Sequence, residues 1–171
     1  MSVGILGATG AVGQRFIQLL ADHPWFEIGE LAASDRSAGK PYREACTWRQ
    51  ATPLPPTVGD RIVQACDAPF ASKLLFSGLD SSVAGEVETL LAGRGHAVVS
   101  NARNHRMDPD VPLLIPEVNP DHLDALAGQR RRTGGGYIVT NPNCSVVGLA
   151  MALAPLERSF GLESVTVVTL Q

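Results

Sequence analysis

Val3-Gly4-Ile5-Leu6-Gly7-Ala8-Thr9-Gly10-Ala11-Val12-Gly13, running directly into a helix-like stretch that ends at Leu20, is the segment on which the reading of this chain turns. An apolar run leads into Gly7, Gly10 and Gly13, and the helix pattern opens at Ala11, which is the order of a strand, a turn and a helix. Each glycine has its own steric task. Gly7 lets the chain reverse tightly, Gly10 lets the backbone approach a pyrophosphate, and Gly13 lets the helix pack on the strand. The unpaired amides of the helix N-terminus then face the phosphates, so residues 7–13 read as a dinucleotide-binding turn.

Outward from this turn, strand-like and helix-like segments alternate, the pattern of a parallel sheet covered by helices. The spacing predicts strands over 3–6, 28–33, 74–77, 97–100, 137–140 and 164–170, and helices over 11–20, 82–91, 120–128 and 145–160. In the last helix Val146, Leu149, Leu153 and Leu156 recur at helical spacing. Residues 40–60, with Pro41, Pro53, Pro55 and Pro56, carry neither periodicity and read as an excursion over the surface. The fold expected is α/β, a Rossmann-like, doubly wound, mostly parallel sheet. The β-prone run over 165–170 stops at Gln171 with no partner strand or cap after it, so a fragment of a longer protein is expected.

Composition narrows the function. A chain of 171 residues holds one ordinary domain, or one domain and the start of another. With 44% apolar and 18% charged residues it is a soluble globular protein. A net charge of −3 argues against nucleic acid as a partner. The one basic run, Arg130-Arg131-Arg132, reads as a solvated loop. Three cysteines, Cys46, Cys66 and Cys144, show neither disulfide nor metal-ligand spacing, which points to a reducing, cytoplasmic setting and to no metal site. The longest apolar run, over 146–156, is too short to span a bilayer.

Two further segments carry chemistry. Ser34-Asp35-Arg36-Ser37 arrives about twenty residues after Gly13, where such folds recognise the adenosine ribose. Asp35 would hold the ribose hydroxyls of NAD and repel an added phosphate. Arg36, with Ser34 and Ser37 as hydroxyl donors, would welcome the phosphate of NADP, and this second reading carries more donors. Ser77-Gly78-Leu79-Asp80-Ser81-Ser82 lies at another strand-to-helix junction, where Ser81 or Ser82 can cap the helix and also touch the cofactor.

Asn141-Pro142-Asn143-Cys144-Ser145 places a thiol where a strand has been stopped by proline and a helix begins. The macrodipole and free amides there favour a nucleophilic sulfur and can stabilise an oxyanion, and Asn143 can add a side-chain donor. No spacing marks His23, His96, His105 or His122 as a base for Cys144. Arg103 and Arg106 follow a strand end and can face an anionic substrate, while Glu117 and Asn119 read as residues capping the following helix.

GATGAVGQRF, AASDRSAGK, FSGLDSS, SNARNHRM, VPLLIPEVNPDHL and IVTNPNCS follow one another along the chain, and together they resemble the aspartate-semialdehyde dehydrogenases, in the branch typical of archaea and fungi. The resemblance covers essentially the whole chain. It implies the reversible, NADP-dependent interconversion of aspartyl 4-phosphate and aspartate 4-semialdehyde on the route to lysine, methionine and threonine. Cys144 matches the acyl-thioester nucleophile of that family. Thr9, Gly10, Ala11 and Val12 match its phosphate-binding turn, Arg36 and Ser37 its NADP-selecting pair, Arg106 the arginine that holds the substrate phosphate, and Gln171 the glutamine that orients substrate. On this resemblance residues 1–143 are the NADP-binding domain, and 144–171 begin a truncated α+β catalytic and dimerisation domain. The full-length enzyme is then expected to be a homodimer or homotetramer, and this piece alone inactive. Related reductases of malonyl-CoA or N-acetylglutamyl phosphate share the chemistry, and a nucleotide-binding fragment without catalysis is the reading from another class.

Overall fold

The computed structural model describes residues 1–169. The opening apolar run forms β1 (Ser2–Leu6), and past the glycine turn comes helix α1 (Ala11–Leu20). Next come β2 (Glu27–Ala33), two single-turn helices α2 (Tyr42–Ala45) and α3 (Pro56–Gly59), and a short β3 (Val63–Ala65). The chain continues through β4 (Leu74–Ser77), α4 (Ser81–Gly93) and β5 (Ala97–Ser100). A 3₁₀ segment (Pro120–Ala125) runs into α5 (Leu126–Thr133), followed by β6 (Tyr137–Thr140) and α6 (Cys144–Phe160).

The strands make one sheet in the order β3-β2-β1-β4-β5-β6, and every neighbouring pair is parallel. This is the Rossmann-like α/β sheet. The order reverses between β1 and β4, so the chain leaves the carboxyl ends of these two neighbours in opposite directions and opens a crevice there. Alternation along the strands divides the core between the two faces. Val3 and Ile5 pack with Ile17 and Leu20 of α1, while Leu6 and Leu75 pack with Leu91 and Ala92 of α4. Among the described residues no helix is long and apolar enough to cross a membrane.

Several expectations need correction. No strand forms over 164–169, because β-prone residues become a strand only beside a pairing edge and no described strand lies next to them; Leu170 lies outside the described residues. The strand β3, unforeseen in a three-residue stretch, exists through its pairing with β2. Arg130-Arg131-Arg132 is the last turn of α5 rather than a loop: Arg130 lies 4.5 Å over the Tyr137 ring, and Arg132 donates twice to the Asp110 carboxylate. Nor is the proline-rich excursion only surface. Tyr42 is fully buried, and its hydroxyl donates to the Ala8 carbonyl at 2.7 Å, which ties α2 to the glycine turn.

Candidate active site

At the turn, three backbone segments meet with no room for a side chain. Gly7 has φ +71°, and a Cβ there would lie 2.7 Å from the Gly78 carbonyl oxygen just beyond β4. A Cβ on Gly13 would lie 2.7 Å from Ala8 Cα and press on the Gly7 carbonyl oxygen. Gly10 differs, because a Cβ there meets only Gly7 O, at an ordinary 3.4 Å. Gly10 is also the N-cap of α1 and supplies no side-chain cap, so the first-turn amides of this helix remain for a ligand.

Two contiguous clefts open at this rim. The larger, about 740 Å³, runs over Gly7, Gly10, Ala11 and Val12. Its charged lining is acidic, from Asp35, Asp67 and Asp80, with no lysine or arginine. The second, about 500 Å³, shares Thr9, Gly10, Ala11 and Ser34 with the first. Its charged lining is the reverse, Arg36 and Arg49 with no carboxylate, and Ser37 stands beside them. The fold therefore parts two sequence neighbours: Asp35 faces the larger cleft and Arg36 the cationic one. Sequence reasoning misses Arg49 and assigns no role to Cys66. The Cys66 thiol in fact lines the larger cleft, where it donates to the Ala33 carbonyl and burial pushes its pKa up.

At the β4–α4 junction the N-cap is Asp80, not Ser81 or Ser82. Its carboxylate accepts from the Ser82 amide at 2.8 Å, which holds the carboxyl below its ordinary range. Ser81 and Ser82 occupy the first turn of α4 but line neither cleft. Deeper in α4, Glu88 is fully buried under the sheet edge, and its Oε1 accepts from Ser77 at 2.5 Å and Ser100 at 2.8 Å. Burial raises the Glu88 pKa against these bonds and against His105, whose Nε2 lies 4.0 Å from Oε2. The Ser100 hydroxyl also accepts from the Ala102 amide, so this buried carboxyl joins the ends of β4 and β5 to the loop carrying Arg106. Arg106 donates from Nη2 to the Asn101 carbonyl, while its Nε is buried with no hydrogen-bond partner among the described residues. Asn119 holds the N-cap position of the 3₁₀ segment, but its side chain makes no capping bond; it accepts from Ile115 N and donates to Leu113 O, stapling its own loop.

Cys144 is the first residue of α6, and its side chain is exposed. Asn143 caps the helix, its Oδ1 accepting from Ser145 N at 2.9 Å and lying 4.0 Å from the sulfur. Because every strand is parallel, Cys144 after β6 and Gly7 after β1 stand on one rim of the sheet. Three strand spacings separate them, roughly 14 Å at about 4.8 Å each. Gln171 lies outside the described residues.

Comparison with known proteins bears on this arrangement. The profile of the family described as "Semialdehyde dehydrogenase, NAD binding domain" matches residues 2–126. The chain belongs to this family. Among similar proteins, an aspartate-semialdehyde dehydrogenase of Trichophyton rubrum is 49% identical over 98% of this chain and 48% of its own length. One from Methanothermobacter thermautotrophicus is 49% identical over 100% of this chain and 50% of its own length. The crystal structure of aspartate semialdehyde dehydrogenase with NADP from Candida albicans superposes with a TM-score of 0.85 at 48% identity, over 94% of this chain and 48% of that one. The chain thus spans about half the length of these semialdehyde dehydrogenase relatives.

Proposed function

We propose that this chain is the NADP-binding, nucleophile-bearing part of an aspartate-semialdehyde dehydrogenase, interconverting aspartyl 4-phosphate and aspartate 4-semialdehyde. The observation that carries the reading is the shared rim: a glycine-floored cleft and an exposed thiol at a capped helix N-terminus stand at the carboxyl ends of strands in one parallel sheet. The Candida albicans structure is that of an enzyme with NADP, and the residues here fit the same cofactor. Gly10 leaves space over the first-turn amides of α1, and Arg36 with Ser34 and Ser37 lines a cleft free of carboxylate. Gly7 to Gly13, with Thr9, Ala11 and Val12, would hold the pyrophosphate, while Ser81 and Ser82 stand in the first turn of α4 outside the lining of both clefts.

In the biosynthetic direction the sulfur of Cys144 attacks the acyl carbon. A C–S bond forms as the C–O bond to phosphate breaks, and phosphate departs with the bonding pair. Helix α6 turns its first amides toward the oxyanion that develops. Arg106 holds the phosphate; its Nη2 is bonded to the Asn101 carbonyl, and its Nε has no hydrogen-bond partner among the described residues. NADPH, when bound, supplies the hydride that takes the thioester to the aldehyde. Asn143 positions the nucleophile through the cap, and Gln171 orients the substrate.

Residues 1–143 serve as the NADP-binding domain and 144–171 begin the catalytic one. In support, α6 buries none of its residues and exposes Val146, Met151, Leu156 and Phe160. The same reading carries a cytoplasmic enzyme of lysine, methionine and threonine synthesis, assembled as a homodimer or homotetramer. A substrate panel on the full-length enzyme tests it. Phosphate-dependent reduction of NADP by aspartate semialdehyde, abolished in Cys144→Ala, is expected. Reduction of malonyl-CoA or N-acetylglutamyl phosphate without that activity overturns it.

A further inference from the structure

We propose that Arg49 is a second specificity-determining cation for the adenosine 2′-phosphate, closing on it opposite Arg36, and that Gln14 is the positioning residue that sets it there. The proposal deepens the NADP reading above and rests on it. It begins from the opposite signs of the two clefts. A ligand lying over the glycine turn passes three aspartates in the larger cleft and two arginines in the smaller one. The clefts are continuous through Ser34 and the turn itself, so one molecule can occupy both, with its apolar and hydroxylated parts on the acidic side and an added dianion on the cationic side. Ser34, Ser37 and Thr47 line the same cleft as the two arginines, and together they offer the donor set that a phosphate needs. Neither arginine has a carboxylate partner within salt-bridge distance among the described residues, so neither charge is spent on the protein.

What makes Arg49 more than a surface arginine is the way its backbone is held. Gln14, 2% exposed in α1, donates through its amide nitrogen to Thr9 O at 3.0 Å and Thr47 O at 3.1 Å, and its Oε1 accepts from Arg49 N at 2.8 Å. One buried amide therefore bonds the phosphate turn on one side and the Arg49 loop on the other. Its bonds cross about 35 residues of sequence and make that loop a fixed wall of the cleft. The bond from Tyr42 to Ala8 anchors the start of the same excursion. With the Arg49 backbone fixed on this wall, only its side chain remains to be ordered when the dianion arrives.

The test uses adenosine 2′,5′-bisphosphate and adenosine 5′-diphosphate as probes, titrated calorimetrically on the chain and, in parallel, NADP and NAD on the full-length enzyme. Arg49 is exposed, so Arg49→Ala is expected to fold, and its melting temperature is checked first. Arg49→Ala should weaken the 2′,5′-bisphosphate about tenfold, the scale of one hydrogen bond to a charged group. It should leave the 5′-diphosphate within about twofold. Arg36→Ala should do the same, and Gln14→Ala should lose part of the preference in proportion to the freed loop. Should Arg49→Ala keep the full preference while Arg36→Ala loses it, the proposal is overturned and the NADP reading stands. Equal losses for both probes also overturn it, since Arg49 would then act on the common part of the ligand. A wild-type chain without preference overturns the NADP reading and this proposal together.

Discussion

Replacing Gly13 by alanine separates the packing role of the glycine turn from its binding role. A methyl group at that position would sit 2.7 Å from Ala8 Cα and 2.8 Å from the Gly7 carbonyl carbon, and would press on the Gly7 carbonyl oxygen. All of these are backbone atoms, so relief requires α1 to move away from β1 by several tenths of an ångström. Such overpacking costs about 3 kcal/mol, the upper end of the usual range because no side chain can turn aside. Against this, alanine is better than glycine in a helix by about 1 kcal/mol. The net loss is then about 2 kcal/mol, or a fall in melting temperature of roughly 4–8 °C for a chain of this size. Gly10→Ala is the control. Its methyl meets only one atom at 3.4 Å, so stability should stay within about 1 kcal/mol of wild type, the cost of a poorer N-cap. Gly10 lines both clefts, however, so a methyl group there would take up space proposed for pyrophosphate, and nucleotide affinity should fall. Urea denaturation and calorimetric titration on both variants read the two quantities. A Gly13→Ala protein as stable as wild type would refute the packing argument, and a Gly10→Ala protein with full nucleotide affinity would refute the cradle.

Tyr42→Phe removes the hydroxyl that donates to Ala8, and the loss of this buried bond should cost about 1–2 kcal/mol, read as a lower urea midpoint at unchanged slope. No change in midpoint would show that the excursion is not tied to the turn through this bond. For Glu88 the sign follows from burial: its folded-state pKa is raised above the unfolded value of about 4.3, so the native state prefers the proton. The stability this group contributes is complete below that unfolded value and is lost as pH rises through the folded one. Glu88→Gln, which keeps an acceptor for Ser77 and Ser100, should therefore gain on wild type as pH rises above that unfolded value, and a stability difference independent of pH would contradict this. Arg36→Ala should weaken NADP on the full-length enzyme by about 1.5–3 kcal/mol with little change for NAD, measured by calorimetry; equal losses would remove Arg36 from the phosphate.

Much of the fold is legible in the sequence because its signals are local. The glycine spacing over 7–13 is demanded by backbone sterics at a single turn, and the helix from Ala11 to Leu20 and the strands at β4, β5 and β6 stand where alternation and helical period place them. Cys144 too is set at a helix start by the proline and asparagine just before it. The two strand errors share one cause. Propensity alone suggests a strand over 164–169 but cannot supply a partner, and β3 escapes notice because three residues carry almost no pattern without β2 beside them.

By itself, then, the order of residues determined the class of sheet, the turn that receives a dinucleotide and the thiol at the helix start, since each follows from contacts within a few residues of chain. Only the tertiary structure decided that Asp35 and Arg36 look into different clefts, that Arg49 shares one of them, and that Gln14, Tyr42 and Glu88 bind distant loops to the rim. The reason is physical. A buried hydrogen bond between residues some 30 positions apart depends on which strands lie side by side, and that order is set by the whole core at once.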